Sequence, residues 1–163
     1  MKKDHVDQIK AQWEKEKPEI DVSPMEVIGR ISRISRHIDR LLQENYSKFD
    51  LNGGEFDVLA TLRRSGKPYQ LIPTEMFQTM MLSSGAMTNR LDRLEKAGLI
   101  ERTPNPEDRR GILVGLTKQG LELIDRAYPL HIAHEDKMLK SLSANERDSL
   151  KEILRKLLRS FEK

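Results

Sequence analysis

This 163-residue sequence predicts a mainly α-helical fold carrying one small β-hairpin. Three observations predict it. Apolar residues recur at near-3.5 spacing over long stretches, caps and breakers cut those stretches into helices, and residues 99–116 alone read as paired strands. Composition narrows the class further. Hydrophobic residues make up 37% and charged residues 34%, which fits a soluble, packed chain better than a membrane or disordered one. The absence of cysteine excludes disulfides, thiolate metal sites, thiol nucleophiles and thiol-based redox sensing. The net charge of +3 is too small to identify a nucleic-acid partner, although the segment 67–118 is its most basic part, with eight basic and six acidic side chains.

The elements follow in order. Val6, Ile9 and Trp13 lie at helical spacing in a charged helix over 3–16, which Pro18 and Pro24 separate from the rest. Ser23-Pro24 starts a long helix whose stripe runs Ile28, Ile31, Ile34, Ile38, Leu41, Leu42, Phe49. Leu51-Asn52-Gly53-Gly54 reads as a turn, and three short helices follow over 55–64, 72–80 and 83–98, the last stopped by Ala97-Gly98. Leu99–Thr103 and Gly111–Leu116 flank the charged, Pro-rich tip Pro104–Arg110 and form the hairpin. Thr117 caps a long helix towards Ser141, loosened at Pro129, and the capping box Ser143-Ala144-Asn145-Glu146 opens the last, with the stripe Leu150, Ile153, Leu154, Leu157, Leu158, Phe161.

Three short helices followed at once by a hairpin is the winged helix-turn-helix order. In the third of them Met87, Leu91, Leu94 and Gly98 share one face, while Ser84, Gly85, Thr88, Asn89, Asp92, Arg93 and Lys96 occupy the other. A small, polar N-terminal half suits a helix entering a major groove roughly 12 Å wide, where Asn and Arg can read base edges. Ser83, Ser84, Gly85, Thr88, Asn89 and Arg93 are therefore the expected major-groove residues, and Arg109 and Arg110 at the hairpin tip the expected minor-groove residues. Taken singly, each feature is also what a solvated amphipathic face or an exposed turn looks like. Their order is what points to DNA.

The runs Leu91–Arg102, Asp108-Arg109-Arg110-Gly111 and Val114–Gly120 resemble the MarR family of bacterial transcription regulators, and the resemblance extends over nearly the whole chain. It implies a homodimer whose first and last helices interlock and whose two winged lobes read a pseudo-palindromic, double-stranded operator. On that basis residues 1–24 are an extra N-terminal helix and linker, 25–50 a dimerisation helix, 51–118 the DNA-binding lobe and 119–163 the C-terminal dimerisation helices. Trp13, Asp57, Arg90 and Arg102 together resemble the urate-responsive subgroup of that family, in which residues of these types mediate the response to a ligand. The resemblance implies a repressor released by a small anionic ligand, urate or a related purine.

Read from the residues alone, Arg90 borders the inward face of its helix, and an inward guanidinium needs an anionic partner, Asp57 or a bound anion. Trp13 offers a flat apolar ring with an N–H donor, suited to a planar heterocycle, while a lone Trp on an amphipathic helix is more often a packing residue. Phenolic or carboxylate ligands suit an Arg-lined pocket too, and a winged lobe can also serve as a protein-interaction module. His131 and His134 stand three apart, as an exposed pair, a pH-sensitive interface pair or, least of all, metal ligands. No metal and no cofactor is expected. No GxSxG, Walker or HExxH pattern is present, so no enzyme is expected. With no secretory signal at Met1–Pro24 and no apolar run near the roughly 20 residues that span a bilayer, the expected compartment is the cytoplasm, without membrane association.

Overall fold

The computed structural model describes residues 2–80, 87–108 and 111–162. Seven α-helices and a three-stranded sheet are formed by these residues, and the chain divides into two compact units, Met1–Glu44 and Asn45–Lys163.

The first unit holds α1 (His5–Glu16) and most of α2 (Ser23–Tyr46). Asp4 caps α1 in a reciprocal box with Asp7, satisfying orphan amides at both positions. Both carboxylates then reach Arg30 of α2, at 2.8 and 2.6 Å, and Lys10 pairs with Glu26 at 3.3 Å. Beneath them Val6, 3% exposed, packs beside Gly29. The predicted long helix stops short of Phe49: after Tyr46 the chain tightens into a 3₁₀ turn, Ser47–Phe49.

The second unit is built around α3 (Gly53–Arg64), in which every residue from Gly54 to Leu62 is buried. Its start differs from the sequence expectation. Gly53 and Gly54 lie inside the helix, because Asn52 caps it and Glu55 closes the box back onto the Asn52 amide. Helix α4 (Pro73–Thr79) opens with Pro at its first position, and α5 (Met87–Lys96) buries Met87, Leu91 and Leu94. The hairpin strands are β2 (Ile100–Pro104) and β3 (Ile112–Leu116), in antiparallel register with Arg102 opposite Val114. A two-residue strand, β1 (Gln70–Leu71), pairs with the other edge of β3 and gives the order β1-β3-β2. That strand is too short for a period-2 pattern to show in sequence.

Helix α6 (Lys118–Met138) runs continuously through Pro129, with Thr117 as its cap. Thr117 Oγ1 both accepts from the Gly120 amide and donates to the Gly98 carbonyl, tying the helix start to the end of α5. Gly120 is required there, since a Cβ would overlap the Leu99 carbonyl oxygen and lie 2.9 Å from its carbon. Ser143 and Glu146 form the expected capping box on α7 (Ala144–Leu158).

Candidate nucleic-acid interface and ligand site

Helix α5 has two chemically distinct faces. Inward, Met87, Leu91 and Leu94 are at most 5% exposed and pack into the unit. Outward, Thr88, Asn89, Asp92, Arg93 and Lys96 are exposed. Thr88, Asn89 and Arg93 therefore share a solvent face, as the periodicity predicts. Ser83, Ser84, Gly85, Arg109 and Arg110 lie outside the described residues.

Arg93 is more than an exposed cation. Its Nε is 2.8 Å from Oε1 of Glu55, a carboxylate whose side chain is 3% exposed. Glu55 Oε2 accepts from the Asn52 amide, so a single buried carboxylate closes the α3 cap and anchors the arginine. The anchored guanidinium keeps two-thirds of its side-chain surface in solvent. An arginine held through Nε presents its two Nη groups in a fixed fork, the geometry that bidentate recognition needs. The sequence reading gives Glu55 no role, because it starts the helix at that residue and no spacing joins it to Asn52 as a cap or to Arg93.

The four ligand-type residues fall in different places. Trp13 lies on α1 in the first unit and is half-exposed. Asp57, Arg90 and Arg102 belong to the second unit. Asp57 is buried in α3, 6% exposed, with Arg64 Nη1 3.9 Å from its Oδ1. Arg90 leans across the N-terminal turn of α3: its guanidinium occupies the space that a Cβ on Gly54 would take. Arg102, on β2, reaches back to α5, with Nη2 2.5 Å from Asp92 Oδ1 and Nε 3.7 Å from Glu95 Oε2. That Nε is buried without a hydrogen-bond partner. Three arginines thus meet α5 or arise from it, and the sequence spacing gives no sign of the Asp92–Arg102 pair.

Behind Asp57 lies an aromatic cluster that the sequence reading does not anticipate. Tyr46 stacks on Phe56 at 4.5 Å, and His131 packs against both at 5.7 and 4.7 Å. His131 is buried, so it is not one of an exposed pair. Its Nε2 is 3.2 Å from Glu135 and its Nδ1 lies 3.4 Å from the Tyr46 hydroxyl. Burial pushes the His131 imidazole below its usual value, with Glu135 opposing and His134 adding to the fall. Burial, with the nearby carboxylates of Glu135 and Asp57, pushes the Tyr46 phenol up to about 12. Among the described residues no cluster of His, Asp and Glu is placed to hold a metal, and no helix is long and apolar enough to cross a membrane.

Comparison with known proteins agrees with this architecture. A model of the MarR family matches residues 51–112, the interval from the α3 cap to β3. The HTH-type transcriptional regulator PecS of Dickeya dadantii is 43% identical over 149 residues, covering 91% of this chain and 90% of that protein. The multiple antibiotic resistance protein MarR of Escherichia coli (strain K12) is 35% identical over 134 residues, covering 80% and 90%. Among solved structures, a mutant of MarR from Escherichia coli complexed with operator DNA superposes with a TM-score of 0.72 at 33% identity, over 84% of this chain and 95% of that one. AbsC, a MarR family transcriptional regulator from Streptomyces coelicolor, matches in fold with a TM-score of 0.77 at 19% identity, over 88% and 97%.

Proposed function

This chain belongs to the MarR family of DNA-binding transcriptional regulators, and we propose that it is a homodimeric repressor released from its operator by a small planar anion, urate or a related purine. The observation that carries the DNA reading is the split face of α5: an apolar side locked into the unit and a polar side presenting Thr88, Asn89 and the fork of Arg93. On this reading Ser83, Ser84 and Gly85 join them in the major groove, and Arg109 and Arg110 enter the minor groove beside it. The mutant of MarR from Escherichia coli solved in complex with operator DNA, at 33% identity, supports the same use of the lobe.

Exposed apolar stripes support the homodimer. Val27, Ile28 and Ile34 on α2 are each more than half exposed, and so are Ile153, Leu158 and Phe161 at the C-terminal end. Apolar surface of this kind on helices marks an association face, and a second copy is the simplest partner with matching stripes.

The ligand reading rests on the resemblance of Trp13, Asp57, Arg90 and Arg102 to the urate-responsive subgroup and on one chemical need. The buried Nε of Arg102 lacks an acceptor, which an anion would supply. An anion near these arginines would also repel Asp57. Because Arg90 rests on the first turn of α3 and belongs to α5, displacing it shifts the helix that reads DNA relative to the helix that carries Asp57. Carboxylates and phenolates meet the same need for an acceptor.

The experiment that tests the DNA reading is the salt dependence of binding to a duplex from the region upstream of the chain's own gene. A repressor contacting several phosphates loses affinity steeply, with a log–log slope of about −0.9 for each phosphate neutralised. A protein-interaction module would bind feebly even at low salt.

A further inference from the structure

We infer that one face of α2 carries a binding site for a linear oligophosphate, built by Arg33, Arg36, His37 and Arg40. These four side chains line an open hollow of about 300 Å³ in the first unit. They stand at i, i+3, i+4 and i+7, so a single helical face carries all of them. From Arg33 to Arg40 that face runs about 10 Å, at a helical rise of about 1.5 Å per residue. None of the four belongs to the DNA-reading set or to the urate-type set.

The state of their partners separates these cations from the other charges of the unit. Arg30, three residues upstream, is committed to Asp4 and Asp7 at 2.8 and 2.6 Å, with Glu26 at 3.8 Å. Beyond it the balance reverses. Residues 31–42 hold three arginines against one aspartate, +2 in a chain whose total is +3. The side chains of Arg33 and His37 make no hydrogen bond or ion pair among the described residues. Arg36 turns its Nε back to the Ser32 carbonyl at 3.4 Å, which leaves both Nη groups without a partner among those residues. Arg40 meets Glu44 at 3.7 Å, beyond hydrogen-bond range, and 65% of its side chain stays exposed. Asp39 lies on the flank of the face and accepts from Ser35 at 3.5 Å. Like charges on adjacent turns repel, and the chain supplies one loose carboxylate at the far end to relieve that.

Repeated negative charge at close spacing answers this arrangement. Guanidinium forks take phosphoryl oxygens two at a time. A single small anion satisfies one fork, whereas a phosphate chain lying along the helix meets all three and the imidazole. No Trp, Tyr or Phe lines the hollow, so nothing there stacks on a base or on an aromatic acid. Recognition therefore falls on the phosphate chain itself, free as inorganic polyphosphate or carried as the triphosphate tail of a nucleotide. A hollow suits such a compact chain better than the convex wall of a duplex. The apolar residues Val27, Ile28, Ile31 and Ile34 occupy the opposite side of α2, so a second copy covering them leaves the cationic face open.

Isothermal titration of the full chain with sodium tripolyphosphate, at about 0.15 M salt where isolated surface contacts are screened, tests the site. Wild type is expected to bind it, and to bind orthophosphate about tenfold or more weakly, because one phosphoryl group reaches one fork. Arg33→Gln and Arg36→Gln are each expected to lose several-fold, and the double variant about tenfold or more. Arg36→Lys, which keeps the charge and loses the fork, is expected to fall between wild type and Arg36→Gln. Arg93→Gln, on the face of α5, is expected to bind tripolyphosphate like wild type. Adenosine triphosphate run beside it tells the two sources apart: tighter binding assigns the nucleotide tail, equal or weaker binding the free chain, and either upholds the site. The proposal is overturned if wild type shows no binding at millimolar tripolyphosphate, if orthophosphate binds as tightly, if the double variant binds as wild type does, or if Arg93→Gln loses as much as the double variant. Binding to a duplex of unrelated sequence is the remaining arm. If the double variant weakens that binding as strongly as Arg93→Gln does, the face serves the DNA backbone and the oligophosphate site is refuted.

Discussion

Arg93 illustrates how a single residue acquires a role from its support. Its Nε pairs with the buried Glu55, and on the proposed reading this fixes the fork before DNA arrives, so less side-chain entropy is lost on binding. Arg93→Ala is expected to cost about 1–3 kcal/mol in operator affinity and to relax preference at one base position, measured by anisotropy against a panel of single-base operator variants. Gly54 gives a complementary test. Alanine there favours the helix by propensity but takes the space of the Arg90 guanidinium. Gly54→Ala is expected to preserve thermal stability while blunting ligand release, whereas a purely structural Arg90 would leave release intact. His131 supplies the pH dependence. Its depressed value means that the unfolded state takes up the proton first. The stability it contributes is fully present above the ordinary imidazole value of 6.5 and is lost as pH falls from there through the lower folded value. Urea midpoints measured between pH 7.5 and 5 are expected to fall more steeply for wild type than for His131→Phe.

Elements carry their own lesson about what a sequence discloses. The caps of α6 and α7 at Thr117 and Ser143 are legible because their chemistry is local, a hydroxyl three residues ahead of an amide. The apolar face of α5 is legible for the same reason: Met87, Leu91 and Leu94 repeat within one helix. The strand β1 and the start of α3 at Gly53 are not. The first exists only because β3 offers it an edge, and the second depends on a capping box that overrides the turn preference of two glycines. The site splits likewise. The exposed face of α5 follows from the pattern, but the Glu55–Arg93 and Asp92–Arg102 pairs join different elements, and no spacing encodes them. The junction of α5, β2 and α6 yields a test at this scale. Gly120→Ala forces a Cβ into the Leu99 carbonyl, which is backbone and cannot step aside. It is expected to destabilise the lobe by about 1–3 kcal/mol or more, read from the urea midpoint at unchanged m-value.

At the scale of the whole molecule, a single chain leaves apolar surface uncovered. The apolar residues of α2 and of the C-terminal helix are repeated at helical intervals, yet a large share of them face solvent in one chain. Ile153, 64% exposed, lies on the stripe of α7. On the homodimer reading, Ile153→Glu is expected to shift the sedimentation profile from dimer towards monomer and to weaken operator binding far more than its own contacts account for, because both half-sites must be engaged at once. The overall charge of +3 fits this economy. On the DNA-binding reading, a guanidinium anchored by a buried carboxylate, Arg93 on Glu55, does part of what a bulk basic surface does elsewhere.

The most direct single measurement is a mobility-shift titration on the DNA upstream of the chain's own gene, with and without urate. The expected result is a discrete complex of two chains per site that dissolves as urate rises, and retention of that complex in Arg102→Gln. No discrete complex at low salt, or a complex indifferent to urate and to every small aromatic anion tried, would contradict it.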